Sequence, residues 1–119
     1  MRIGLVGSCV CYANEAKVRF LGVRQATLER HGAVSRETAL EMAEGARREA
    51  DADIALSVTG IAGPSGGSPE KPVGTVWIAI AREGRSEARD FRFQGDRERV
   101  ILGAAQAALN YLRTALLQP

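Results

Sequence analysis

The chain has 119 residues, 45% of them hydrophobic and 25% charged, and this length and composition predict a single domain spanning residues 1–119. Its 16 Lys and Arg residues and 14 Asp and Glu residues give a net charge of +2 and are mixed along the chain, so there is no basic block to indicate a nucleic-acid partner. The apolar start is too short for a membrane helix and lacks the features of a secretory signal, so we expect a cytoplasmic protein with no membrane partner.

The N-terminal third is predicted to hold one strand and three helices. Small and β-branched residues over 2–12 are typical of a strand buried on both faces. Asn14 is expected to cap a short helix that ends at Gly22, and a second short helix is expected over residues 25–30. Ser35 is predicted to cap a longer helix reaching about residue 50. The expected inner residues of the first helix are Ala16, Phe20 and Val23, and those of the longer helix are Ala39, Met42, Ala43, Ala46 and Ala50.

The central third is predicted to be β structure interrupted by one long loop. Residues 53–60 alternate large and small side chains, as expected of a strand covered closely by a helix on one side. A loop rich in Gly and Pro separates this strand from residues 75–81, which are apolar after the first position and therefore predict a central strand. The turn at Glu83, Gly84 and Arg85 then predicts an antiparallel edge strand over residues 86–93.

The last element is predicted to be a helix capped by Asp96 and reaching about residue 117. Together these elements predict an α/β fold with a mixed sheet and helices on its faces. The helical spacing selects an inner face made of Ile101, Ala104, Ala105, Ala108, Leu112 and either Ala115 or Leu116.

Tyr12, Asn14 and Lys17 are the first candidates for a functional site. They stand where a predicted strand passes into a helix, which is where side chains converge on a crevice in α/β folds. A lysine there can activate a neighbouring hydroxyl, and a tyrosine can hold or pass the proton. The alternative is a capped amphipathic helix on which Lys17 is solvated, because lysines are mostly surface residues.

Two further segments could bind an anion. Glycines from Gly63 onward, together with Lys71, resemble loops whose backbone N–H groups surround a phosphate, although neither a Walker motif nor G-x-G-x-x-G is present. Asp96 and Arg97 begin a helix whose N-terminus and guanidinium group suit an anion. A flexible connection and an ordinary helix cap are the respective alternatives.

The cysteines and the single histidine do not predict a metal site. Cys9, Cys11 and His31 are fewer than the four ligands, or three plus water, that zinc needs. A cysteine nucleophile would need a base beside it, and the sequence offers His31 no evident route to the first strand. We expect Cys9 and Cys11 to be reduced, buried thiols.

Four segments carry a resemblance to a known family. YANEAKVRFLGV, LERHGAVSRETALEMAEGAR, ADIALSVTGIAGPSGGSPEKPVGTVW and FQGDRERV occur in the order found in the CinA C-terminal domain family, the nicotinamide mononucleotide deamidases. The resemblance implies a three-layer α/β/α sandwich, a homo-oligomer and hydrolysis of nicotinamide mononucleotide to nicotinate mononucleotide and ammonia. It implies no metal and no cofactor.

The resemblance also assigns roles to individual residues. Tyr12 and Lys17 match the tyrosine and lysine that assist a serine nucleophile, Asn14 matches the asparagine of the same motif, and Ala13 replaces its serine. Arg97 matches an arginine that could take the substrate's phosphate or a developing negative charge. The implied substrate-binding residues are Asn14, Thr59, Gly60, Gly63 and Arg97.

One departure from the family pattern concerns the nucleophile. The family's serine lies in an E-S-C-T-G-G segment that does not occur in these 119 residues, and Ser8 and Cys9 resemble it only faintly. We therefore expect the family's first strand and helix to be missing and hydrolysis to be reduced by orders of magnitude. The alternatives are a non-catalytic module that binds a nucleotide or dimerises, and a hydrolase that uses Cys9 or Ser8.

Overall fold

The computed structural model describes residues 13–117. The strand predicted over residues 2–12 lies outside this range, as do Ser8, Cys9, Cys11 and Tyr12. The seven described elements are α1 (Asn14–Leu21), α2 (Gln25–His31), α3 (Arg36–Ala50), β1 (Ile54–Gly60), β2 (Thr75–Arg82), β3 (Arg85–Arg92) and α4 (Arg97–Leu116).

The three described strands form one antiparallel sheet in the order β1-β2-β3. Gly60 at the end of β1 pairs with Val76, and Thr75 at the start of β2 pairs with Arg92. The predictions that β2 is central and that β3 pairs antiparallel to it at an edge are confirmed within this sheet. The mixed sheet depends on the strand over residues 2–12 and stays a prediction.

β2 separates two packing layers because successive side chains point to opposite faces. Val76, Ile78 and Ile80 pack on one face against α4, whereas Ala79 and Ala81 pack on the other against α3. The fold is therefore α/β, with a helix layer on each side of the sheet. The small residues on the α3 side allow that helix to lie close to the strands.

α3 is anchored at its start and along its inner face. The Ser35 side chain accepts a hydrogen bond from the Thr38 amide at 3.1 Å, which confirms the predicted cap. Ala39 and Ala43 are fully buried against the sheet. The Ser57 hydroxyl of β1 donates to the Ala39 carbonyl at 2.6 Å, which fixes the position of α3 along the strand.

α1 and α2 pack on the outer side of α3 rather than on the sheet. Their shared cluster consists of Leu21, Val23, Leu28 and Met42. Phe20 is 54% exposed, so its predicted inward position is wrong: α1 turns Lys17 and Leu21, four residues apart, toward the protein interior. The predicted cap Asn14 is also wrong, because Ala13 is the N-cap and no side chain bonds there.

Glu41 joins α2 to α3. Its carboxylate accepts hydrogen bonds from the Arg24 amide at 2.8 Å, the Thr27 hydroxyl at 2.6 Å and the Arg24 guanidinium at 3.2 Å. Burial raises the pKa of Glu41, but these hydrogen bonds together outweigh it and hold the pKa below its ordinary value. The ionised carboxylate therefore stabilises the start of α2.

α4 begins as predicted, with the Asp96 side chain accepting from the Arg99 amide at 2.9 Å. Its inner face differs from the prediction at Ile101 and Ala105, which are exposed, whereas Ala104 and Ala108 are buried as predicted and Ala115, the first of the two alternatives, is buried in place of Leu116. The helix is apolar over more of its circumference than the sheet can cover, so spacing alone did not select the buried side. The residues that α4 buries are Val100, Ala104, Ala108, Tyr111 and Ala115.

Candidate functional site

One end of the sheet gathers most of the predicted substrate-binding residues. β1 ends there at Gly60, β2 starts there at Thr75, β3 ends there at Arg92, and the loop of residues 61–74 joins the first two strands. α4 begins five residues after β3 ends, at Arg97. We call this region, comprising residues 59–75 and 92–97, the loop end.

Hydrogen bonds from three separate elements fasten the loop end. Arg97 of α4 donates through Nη1 to the Gly63 carbonyl at 3.1 Å. Lys71 donates through Nζ to the carbonyl of His31, at the end of α2, at 2.5 Å. Thr59 of β1 donates its hydroxyl proton to the Ala33 carbonyl at 2.8 Å. The loop is therefore held to both helix layers.

Gly74, the last residue before β2, has a backbone conformation that residues with a side chain rarely adopt. Its φ is +96°, and a Cβ there would overlap the carbonyl of Phe93. Its amide donates to the Ile61 carbonyl at 2.7 Å, and its carbonyl accepts from the Phe93 amide at 3.0 Å. The end of β1, the loop and the exit of β3 are thus tied together at one glycine.

Gly63 is the third residue of the loop, and it is buried. Its φ is +86°, and a Cβ there would lie 2.5 Å from Cγ1 of Val73. The position therefore requires glycine, and its carbonyl accepts a hydrogen bond from Nη1 of Arg97 at 3.1 Å. The structure therefore brings together Gly63 and Arg97, two of the residues predicted to bind substrate.

The start of α4 offers donors for an anion within a mixed electrostatic setting. A helix N-terminus presents unpaired backbone N–H groups and a partial positive charge. Arg97 adds a guanidinium group with five donors, of which the bond to Gly63 uses one. The carboxylates of Asp96 and Glu98 lie next to it in the sequence, and Asp96 already caps the Arg99 amide. The arrangement suits an anion that accepts hydrogen bonds directly from the Arg97 guanidinium.

Lys17 lies on the inner side of α1 and is 6% exposed. The alternative in which this lysine is solvated is therefore wrong. Asn14 lies in the first turn of the same helix with its side chain in an exposed position. Tyr12 falls outside the described residues, so the grouping of Tyr12 with Lys17 stays a prediction.

Lys71, which the sequence placed in a possible anion-binding loop, stands in the K-P-V-G segment just before the loop meets β2. Its observed contact is with the main chain of His31, whose ring nitrogen Nδ1 lies 3.6 Å from Oε1 of Glu37. Within residues 13–117, no three His, Cys, Asp or Glu side chains group as metal ligands would.

Comparison with known proteins assigns this architecture to a family. Residues 4–116 match the CinA C-terminal domain. The chain belongs to the CinA C-terminal domain family. Two solved structures share its fold: competence/damage inducible protein CihA from Agrobacterium tumefaciens, 47% identical with a TM-score of 0.85, and competence damage-inducible protein A (ComA) from Klebsiella pneumoniae, 42% identical with a TM-score of 0.86. The alignments cover 91% and 90% of this chain and 66% of each of those chains.

Curated relatives of the CinA family are longer than this chain. A CinA-like protein from Geobacter metallireducens is 54% identical over 110 residues, which is 92% of this chain and 27% of that protein. A CinA-like protein from Geotalea daltonii is 56% identical over 108 residues, with 26% of its length covered. The chain thus spans about a quarter of the length of these relatives. Among residues 13–117, no helix has the length and apolar character needed to cross a membrane.

Proposed function

We propose that this chain binds nicotinamide mononucleotide at the loop end and takes part in hydrolysing its carboxamide to nicotinate mononucleotide and ammonia, a step of pyridine nucleotide recycling. Membership of the CinA C-terminal domain family and the sequence motifs support this proposal. The observation that carries it is the bond from Arg97 to the Gly63 carbonyl, which holds a guanidinium group over a glycine loop at a helix N-terminus.

Arg97 is proposed to bind the phosphate of the nucleotide. A guanidinium group matches phosphate oxygens with paired, charge-assisted hydrogen bonds. The Gly63 carbonyl restricts Arg97 before the ligand arrives, so less side-chain entropy is lost on binding. The N-terminus of α4 adds backbone donors on the same side.

Thr59, Gly60 and Asn14 complete the proposed substrate contacts. The Thr59 hydroxyl already donates its proton to Ala33, so toward a ligand it can serve only as an acceptor. Gly60 lies in an exposed position at the end of β1, and a Cβ there would lie 2.8 Å from Cγ2 of Val76, so the position suits glycine and leaves its backbone open to a ligand from the solvent side. Asn14 stands at the exposed start of α1, where its amide can both donate and accept.

Tyr12 and Lys17 are proposed as the catalytic residues. Hydrolysis adds water across the amide bond, so a group must take a proton from the attacking oxygen and return one to the nitrogen that leaves as ammonia. An amine and a phenol can share this task. Burial of Lys17 restricts the position of its amine, as expected of a group that must meet a reacting atom in one geometry.

A non-catalytic module that binds the nucleotide or dimerises is the second candidate. The observation that favours it is that Gly60, Gly63 and Arg97, which the structure gathers at the loop end, are residues suited to binding rather than to nucleophilic attack. Acting alone, these residues would bind the nucleotide and leave its amide intact. The two candidates share the binding site and differ in the release of ammonia.

A calorimetric titration with nicotinamide mononucleotide, joined to an ammonia assay, tests the proposal. Arg97→Ala is expected to weaken binding by about 10- to 100-fold, the usual range for a hydrogen bond to a charged group. Arg113→Ala is the matched control, because Arg113 is an exposed arginine in the last turn of the same helix. Equal affinity in the Arg97→Ala and Arg113→Ala variants would contradict the proposed phosphate site.

The ammonia assay separates the two candidates. Ammonia release by the chain that is lost in the Lys17→Met variant, which keeps most of the buried volume, supports the amidohydrolase. Binding without release supports the non-catalytic module. We further propose that the protein acts in the cytoplasm as a homo-oligomer, as the family resemblance implies.

A further inference from the structure

The outer side of α4 carries three leucines spaced seven residues apart. Leu102 is 59% exposed, Leu109 is 66% exposed and Leu116 is 57% exposed. Seven residues are close to two helical turns, so the three side chains stand almost in line along the helix. We call Ile101, Leu102, Ala105, Leu109, Leu112 and Leu116 the leucine stripe.

The leucine stripe is a separate surface from the face that α4 buries. At 100° per residue its six members fall within about 100° of arc, next to the arc that contains Ala104 and Ala108. The opposite flank of α4 faces β3, because the Arg89 guanidinium lies 5.3 Å from the Tyr111 ring centre and Phe93 lies against Gly103. None of the six members is charged or polar.

A surface of this kind predicts a partner. Exposed apolar side chains are common singly, but a contiguous apolar stripe along a whole helix marks an interaction site. Heptad spacing of leucines is the pattern by which one helix packs its side chains between those of another helix. The partner surface is therefore an apolar helix of similar length.

We propose that the leucine stripe is the dimer interface of this protein and that its occupant is α4 of a second copy, packed antiparallel about a two-fold axis at Leu109. The stripe is symmetric about that residue, with Leu102 seven residues before it and Leu116 seven after it. The axis therefore brings Leu102 against Leu116 of the partner subunit. Ala105, four residues before Leu109, meets Leu112 of the partner subunit, which stands three residues after the axis. A small side chain therefore faces a large one.

Area and charge agree with this self-pairing. α4 has 20 residues and is therefore about 30 Å long, and pairing two such stripes removes on the order of 1,000 Å² of surface, the lower bound for a specific interface. At the two-fold axis Leu109 meets its own copy, which is favourable for leucine and would be unfavourable for a charged residue. This inference rests on the proposed homo-oligomer and assigns its surface.

Sedimentation of the full chain tests the interface. The wild-type chain is expected to sediment as a dimer at micromolar concentration, and Leu109→Glu is expected to sediment as a monomer because two carboxylates would meet at the axis. Asn110→Glu is the matched control, since it adds the same charge at the next exposed position of the helix, outside the stripe, and is expected to stay dimeric. Circular dichroism establishes that each variant is folded.

A charge pair tests the antiparallel arrangement. Leu102→Glu alone is expected to shift the chain toward monomer by at least tenfold in dissociation constant, and adding Leu116→Arg to the same chain is expected to restore the dimer. The introduced carboxylate and guanidinium meet across the two-fold axis only when the helices run antiparallel.

Three outcomes overturn the inference. A dimer that survives Leu109→Glu refutes this surface while leaving the homo-oligomer intact. A monomeric wild-type chain refutes both. A double variant that stays monomeric refutes the antiparallel pairing.

Discussion

Replacing Gly45 with alanine is expected to separate α1 from α3. Gly45 lies in the middle of α3 against the last residue of α1, and a Cβ there would lie 2.6 Å from the carbonyl carbon of Leu21, with the carbonyl oxygen closer still. Carbon atoms in ordinary contact are about 3.5 Å apart, and the oxygen overlaps the Cβ more than the carbon does, so α1 must withdraw by at least about 1 Å. A gap of that size removes roughly half of the attraction between the packed surfaces.

The cost of Gly45→Ala can be worked from the side chains that move with α1. Val18, Leu21 and Val23 each gain about 2 kcal/mol from burial, and losing half of this gives about 3 kcal/mol. Alanine stabilises the helix by about 1 kcal/mol relative to glycine through its higher helix propensity, which offsets part of this loss. The net loss of about 2 kcal/mol corresponds to a fall in melting temperature of about 10 °C for a chain of this size.

Thermal unfolding followed by circular dichroism measures this effect. Gly103→Ala is the matched control, because it adds the same Cβ to a helix but would meet the ring of Phe93, at 2.7 Å from Cδ1, instead of a backbone carbonyl. Its melting temperature is expected to fall less than that of Gly45→Ala, since a half-buried side chain can shift more readily than a helix. If Gly45→Ala melts at or above the wild-type temperature, the reasoning about the α1–α3 contact is refuted.

Two further predictions concern the helix starts. Glu41→Gln is expected to lower the free energy of unfolding at neutral pH and to make it fall less steeply in acid. Because the pKa of Glu41 is lowered in the folded state, the carboxylate stabilises the fold fully above about pH 4.3, and this contribution is lost as pH falls through the folded-state pKa. If wild type and variant lost stability equally as pH is lowered, the hydrogen bonds from Arg24 and Thr27 would be contradicted. Ser35→Ala removes the cap of the Thr38 amide and is expected to cost about 1–2 kcal/mol in urea unfolding, and an unchanged midpoint would show that the cap is not needed.

The sequence predicted the elements whose signals are local. Ser35 and Asp96 are caps in the structure because each directly precedes the first helical residue, where its short side chain accepts from the amide three residues on. The apolar run of β2 predicted a central strand, since only a strand covered on both faces needs no polar side. The hairpin turn before β3 was predicted from its glycine.

Properties that depend on packing between elements were beyond the sequence. Phe20 and Ile101 stand at helical spacings compatible with a core, but each is at least half exposed because the neighbouring element covers another side of its helix. Lys17 is buried although lysines are mostly exposed, since α1 packs on α3 through that side. The bond from Arg97 to Gly63 joins residues 34 apart, and no spacing rule links them.

The unequal faces of β2 have a consequence for how sequences of this fold can diverge. On the α4 side, Val76, Ile78 and Ile80 can exchange volume with their neighbours, so one substitution can be compensated by another. On the α3 side, methyl groups of Ala39 and Ala79 are already the smallest side chains that fill the space. Any enlargement there moves α3 and, with it, the Ala33 carbonyl that holds the loop end. Substitutions are therefore tolerated better on the α4 side of the sheet than on the α3 side, and the position of the loop end depends on the α3 side.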